Sequence, residues 1–307
     1  MSNKRFTTTP SSSIADSVTL AKIEEYDEYL NSEKRVDFTR WKKFTSSGAT
    51  TTYLERKKPN PDSKLPETLM TGTLPGTLNE NMFGLVSPTL ESMRIKASYL
   101  NDFSAAAVLA TIVEPTVAEP LRSVVIKWME IDIPGASIGI VRNRDYVYLE
   151  STGILCLKNG RRVGYHLLHS VNFPQTSDLL SRVRGNMSLC GVFSQAEPGQ
   201  TDCRGTGVMD PGGDMIRVMA VVGMIQATMA VNQGVKIRKV FKKLSFITPD
   251  LELSQRKVSF CVKCLLDTNM DTLEAARQQF VYSENIQLRN IEFSLLSSGS
   301  DATIAST

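Results

Sequence analysis

RDYVYLESTG, residues 144–153, sets the reading of the whole chain. Aromatic and β-branched residues in a short run that ends at a glycine predict a strand. On a strand successive side chains alternate, so Tyr146, Tyr148 and Glu150 share one side and Val147, Leu149 and Ser151 the other. Similar runs flank it: Ala107–Val113, Arg122–Asp132, Gly139–Leu149 (which contains its first half), Val163–Phe173, Val183–Phe193 and Thr201–Met209. Turn residues such as Pro134-Gly135, Asn159-Gly160 and Pro198-Gly199 separate them, the texture of a mainly antiparallel meander.

Working toward the N-terminus, Thr77 and Glu80 have capping-box spacing and predict a helix from there to Val86. Pro88 suits the first turn of another, reaching Leu100. Trp41–Arg56 and Glu67–Leu74 read as strands, and Asp16–Lys34 as a surface helix with Val18, Ile23, Tyr26 and Leu30 on one stripe. The Ser/Thr-rich residues 1–14 are expected to be disordered. Toward the C-terminus, Asp210-Pro211-Gly212-Gly213-Asp214 opens an apolar helix, with Asp214 favourably placed at its start. Met215, Met219, Val222, Ile225 and Met229 recur along it every three or four residues and form one face. The stretch Met215–Val231 has 17 residues and contains Arg217 and Gln226, short of the roughly 20 apolar residues that span a membrane. The expected fold is therefore α+β: a curved antiparallel sheet around a long C-terminal helix, an arrangement that encloses a cavity.

Composition excludes several classes. The 307 residues carry 35 Lys and Arg against 32 Asp and Glu, a net charge of +3, which argues against a general nucleic-acid binder. Five scattered cysteines do not make a disulfide framework, and Met1–Pro10 lacks the apolar core of a signal peptide. A cytoplasmic location is the expectation. Phosphate-cradling glycine loops, nucleophile elbows and HExxH-type motifs are absent from the sequence, so no cofactor and no metal is expected.

Four segments in order carry a resemblance. Arg144-Asp145-Tyr146-Val147-Tyr148 resembles the Arg-Asp-aromatic strand motif of START (steroidogenic acute regulatory protein-related lipid transfer) domains, and Asp210-Pro211-Gly212-Gly213 their Asp-x-x-Gly approach to the closing helix. RDYVYLESTG (144–153), GRRVGYHLLHSV (160–171), RVRGNMSLC (182–190) and DPGGDMIRVMA (210–220) are similar to START-like proteins of oomycetes. The resemblance covers residues 15–245. It implies a helix-grip fold holding one amphipathic lipid inside, without catalysis. In many such relatives a FYVE-type zinc finger follows. Here Cys261 and Cys264 stand where its first ligand pair would, but no Cys or His follows. Tetrahedral zinc needs four ligands, so residues 246–307 are expected to be a C-terminal extension with the finger lost, ending in a Ser-rich tail.

Burying a sixteen-carbon chain releases about 12 kcal/mol gross at about 0.8 per methylene, so polar cavity groups need only choose the head group. The resemblance places a charged interior residue six positions after the motif arginine, at Glu150, where sterol-type members carry a base. Lys127 on an earlier strand, or His166 on the next, is its expected partner. A solvated, outward Glu150 is the other outcome of the register. With Tyr146, Tyr148 and the helix face above, these form the expected ligand site. His166 and His169 lie three apart on a strand and point to opposite faces, so they cannot share a metal. Lys236, Arg238, Lys239, Lys242 and Lys243 form a basic stretch suited to transient contact with an anionic membrane, or to a helix C-terminus. Two alternatives remain at this stage: an interaction module with a filled cavity, and an enzyme using Glu150 and His166 as acid and base.

Overall fold

The computed structural model describes residues 9–56, 66–94, 104–133 and 141–213. Helix α1 (Thr9–Asn31) precedes β1 (Trp41–Ser47), β2 (Thr50–Glu55) and β3 (Thr68–Pro75); α2 (Leu78–Leu85) follows. Then come β4 (Ala105–Val113), β5 (Ser123–Ile131), β6 (Asn143–Cys156), β7 (Arg162–Ser170), β8 (Arg182–Arg184), β9 (Asn186–Glu197) and β10 (Gln200–Asp210). They form one curved sheet in the order β1-β2-β3-β10-β9-β7-β6-β5-β4. Every pairing along that path is antiparallel, and the long-range contact of β10 with β3 joins the two halves. Short β8 runs parallel to the first residues of β6, beside the part that β7 leaves unpaired.

Alternation along the strands gives the sheet two apolar faces, and each is covered. On the outer face Ala15, Ile23 and Tyr26 of α1 pack on Leu149, Val163, Leu167, Cys190 and Val192. The buried Tyr26 hydroxyl meets Ser194 Oγ at 2.7 Å, so its polar tip is satisfied. On the inner face α2 lays Leu78, Met82, Phe83 and Leu85 over Met70, Leu74, Phe193 and Cys203. Further along the same face Tyr146, Tyr148, Met187 and Met209 cluster with Met129, Ile131 and Leu168. Covering on both sides explains why β6 carries large apolar residues at odd and even positions alike.

Local expectations meet the structure unevenly. Thr77 accepts from the Glu80 amide at 3.3 Å while the Glu80 carboxylate accepts from the Thr77 amide at 2.9 Å, a complete capping box. Helix α1 starts at Thr9 rather than Asp16; Pro10 suits a first helical turn because its fixed φ is helical and its missing N–H is not needed there. The strand expected to end at Leu149 continues to Cys156, since β5 pairs with it as far as Thr152 and β7 as far as Cys156. Gly153 fits because the Tyr165 ring lies where a Cβ would stand, 2.6 Å from its hydroxyl oxygen. The single run Val183–Phe193 is two strands, β8 and β9, broken at Gly185, whose amide bonds Asp145 O at 2.9 Å. Trp41–Arg56 is a hairpin, turning at Gly48 with φ 58°. Of the helix expected from Pro88, residues 90–94 are helical and the rest lies outside the described residues. Most of segment 1–14, the closing helix and segment 246–307 with Cys261 and Cys264 also lie outside them. Among the described residues no helix is long and apolar enough to cross a membrane.

Gly72 sits at φ 147°, and a Cβ there would lie 2.2 Å from Ala49 O. Backbone cannot yield as a side chain does, so Gly72→Ala is expected to cost about 3 kcal/mol. Thr77→Ala, which loses only a cap, is expected to cost about 1 kcal/mol. Urea denaturation of the two variants checks this order; equal or inverted losses would contradict the hairpin geometry.

Candidate ligand-binding site

Neighbouring strands β5, β6 and β7 each contribute one charged or titratable side chain to a cluster on the inner face. Lys127 stands opposite Tyr148, and Thr152 opposite His166, which sets Glu150 diagonally between the two. Lys127 and Glu150 are 1% and 2% exposed. The Lys127 ammonium donates to Glu150 Oε2, and His166 Nε2 lies 2.8 Å from Glu150 Oε1. A carboxylate paired with an ammonium only accepts, so His166 holds its proton on Nε2. Ser87, just past α2, adds a fourth element: its carbonyl and hydroxyl accept from Lys127 Nζ at 2.5 and 3.2 Å, and its hydroxyl reaches Glu150 Oε2 at 3.5 Å.

This arrangement meets the condition under which a buried ion pair survives. Desolvation costs several kcal/mol per ion, and it is offset only when both charges keep further hydrogen bonds. Both oxygens of Glu150 are used, and the ammonium has three acceptors. The outward, solvated Glu150 is thereby ruled out. Both expected partners are present together, where the residue pattern offered one or the other.

Beside the cluster the inner face carries the apolar side chains of Met129, Leu168, Met187 and Met209. Tyr146 and Tyr148 lie in its floor, and burial pushes the Tyr146 phenol well above the usual range. His169 is apart, on the opposite face, with Nδ1 at 3.0 Å from Ser188 Oγ; burial lowers its pKa. The thiols of Cys190 and Cys203 are pushed up to about 12 by burial, and such thiols are inert. Among the described residues no group of three or more His, Cys, Asp or Glu could hold a metal ion. Met215, Met219, Val222, Ile225 and Met229, and the cations Lys236, Arg238, Lys239, Lys242 and Lys243, lie outside the described residues. Two interior polar residues escaped the sequence reading. Ser87 has no distinguishing signal. Arg144 had one: it is two residues before Tyr146 and therefore on the same side.

No family profile and no curated protein matches the sequence. Solved structures do. Human STARD10 superposes with a TM-score of 0.50 at 14% identity, covering 71% of this chain and 80% of that one. The human StAR-related lipid transfer protein 5 superposes with a TM-score of 0.50 at 15% identity, covering 73% and 97%. At such identity the likeness is one of fold alone. The chain has a START-like α+β fold, in which a large curved antiparallel sheet carries few helices.

Proposed function

We propose that the chain binds one amphipathic lipid against the inner face of the sheet and performs no chemistry on it. The observation that carries this reading is the buried Lys127–Glu150–His166 cluster set into an apolar floor of Tyr146, Tyr148, Met129, Met187 and Met209. An apolar surface with a few fixed polar groups is what a lipid chain and its head require. The START-like fold supports the reading, since one of the similar structures is named a lipid transfer protein. In this proposal Met215, Met219, Val222, Ile225 and Met229 supply the opposite wall, and methionine adapts to an irregular ligand. The cations Lys236, Arg238, Lys239, Lys242 and Lys243 bring the protein transiently to anionic membranes from the cytoplasm, with no nucleic acid and no cofactor involved.

One contact favours a second reading: Glu150 and His166 are within hydrogen-bond distance, as an acid–base pair would be. An acid–base pair, however, must reach a substrate, and here Glu150 is already bound to Lys127 and Ser87.

Gentle purification followed by lipid extraction and mass spectrometry is expected to recover lipid near one mole per mole of protein. Recovery of none would favour a filled interior and a docking role. Glu150→Gln leaves the Lys127 charge buried and unpaired, so it is expected to lower unfolding stability by about 3 kcal/mol, whereas the paired change Lys127→Met with Glu150→Leu should restore most of that loss. A Gln variant of unchanged stability would contradict the buried pair. Replacing the five cations with Gln is expected to weaken binding to phosphatidylserine vesicles by about 1 kcal/mol per cation, read by cosedimentation; undiminished binding would remove them from the membrane contact.

A further inference from the structure

Arg144 is the unbalanced charge of the inner face. It stands opposite Ile131 of β5 and Val183 of β8, and it is 4% exposed. Its guanidinium donates from Nε to Pro211 O at 3.2 Å, from Nη2 to Gly212 O at 3.3 Å, and from Nη1 to Arg142 O. All three acceptors are neutral carbonyls. Among the described residues no carboxylate pairs with it, and the nearby acids are engaged elsewhere. Asp145 Oδ2, on the opposite face, accepts from Trp128 Nε1 at 2.9 Å and Arg184 Nη2 at 2.8 Å. Asp210 Oδ1 accepts from the Gly212 amide at 3.0 Å, and Glu130 pairs with Arg182 at 2.7 Å. Burial, with the like charge of Arg142, lowers the pKa of Arg144.

Elsewhere on this face charge is matched, Lys127 against Glu150. Among the buried charges of the described inner face one cation is therefore in excess, at the end of the floor lined by Tyr146, Met187 and Met209. An isolated buried cation is costly, and carbonyl dipoles offset only part of that cost. Three of the five guanidinium N–H groups are used, leaving one on each terminal nitrogen. Such a fork suits a carboxylate or phosphate oxygen.

We infer that Arg144 is the head-group subsite for an anionic lipid, one carrying a carboxylate or a phosphate monoester. The acyl chain runs from it over Tyr146, Met187 and Met209 toward the Lys127–Glu150 cluster. This assignment rests on the lipid-binding reading and names the charge class of its ligand.

The test titrates the full chain, stripped of lipid, with three probes sharing one acyl chain: oleate, 1-oleoyl lysophosphatidate and neutral monooleoylglycerol. Wild type is expected to bind at least one of the two anions about tenfold or more tightly than the neutral probe, the size of a charge-assisted hydrogen bond; which of them does so tells carboxylate from phosphate. Arg144→Gln is expected to bring that ratio to about one, and Arg144→Lys to keep most of it. Inorganic phosphate at matched concentration should not displace the lipid. Equal binding of all three probes by wild type overturns the assignment and leaves the lipid-binding reading standing. Binding of none overturns both. A parallel loss for all three in Arg144→Gln, with the ratio kept, makes Arg144 a structural clasp of the Pro211-Gly212 turn and overturns the assignment. Displacement by phosphate alone overturns it in favour of a free-anion site.

Discussion

A lysine and a glutamate taken out of water stay charged only while each keeps the other and a set of further hydrogen bonds, and this requirement fixes the centre of the protein. Lys127 and Glu150 belong to adjacent strands, so their contact demands the β5–β6 register as it stands. A slip of one residue would turn Glu150 to the opposite face, beneath α1, and leave Lys127 without its partner. Ser87 extends the same demand to the segment after α2, which must bring its carbonyl to the ammonium. His166 extends it to β7. One ion pair therefore aligns three strands and the end of a helix, and in doing so fixes which side of every central strand looks inward.

The inner face so defined is asymmetric. Its helix-covered end, under α2, is closed by Met70, Met82 and Phe193. Its middle holds the compensated charges. Its far end is apolar, and it terminates at the guanidinium of Arg144. Six residues of strand at about 3.3 Å each separate Arg144 from Glu150, so the two polar poles lie about 20 Å apart along β6. An extended molecule with one charged head fits that distribution better than a compact, uniformly polar one.

Much of this was legible in the residues. The capping box at Thr77 is a local signal and depends on nothing distant, and the strands are marked by turn residues at their ends. That Glu150 looks inward, with Lys127 or His166 as its partner, was what the family resemblance implied; the alternation of RDYVYLES grouped it with Tyr146 and Tyr148 without saying which face they take. Less legible were features decided by neighbours. Gly153 and Gly185 look alike in sequence, and an aromatic ring stands where the Cβ of each would be, yet β6 continues through the first because β7 pairs with it there, whereas the chain breaks into two strands at the second. Arg144 announced itself only as a motif letter; that it is interior and has no carboxylate partner among the described residues depends on where Asp145, Glu130 and Asp210 find their own partners, which no local pattern encodes.

The most direct test of the central claim is an intermolecular NOE measurement on protein carrying 13C-methyl methionine, with protonated oleate as the ligand. The account predicts cross-peaks from acyl-chain protons to the methyls of Met129, Met187 and Met209 and none to those of Met70 and Met82, which are enclosed between α2 and the sheet. Bound oleate with no cross-peak to Met129, Met187 or Met209 would show that the lipid lies elsewhere and would contradict the account.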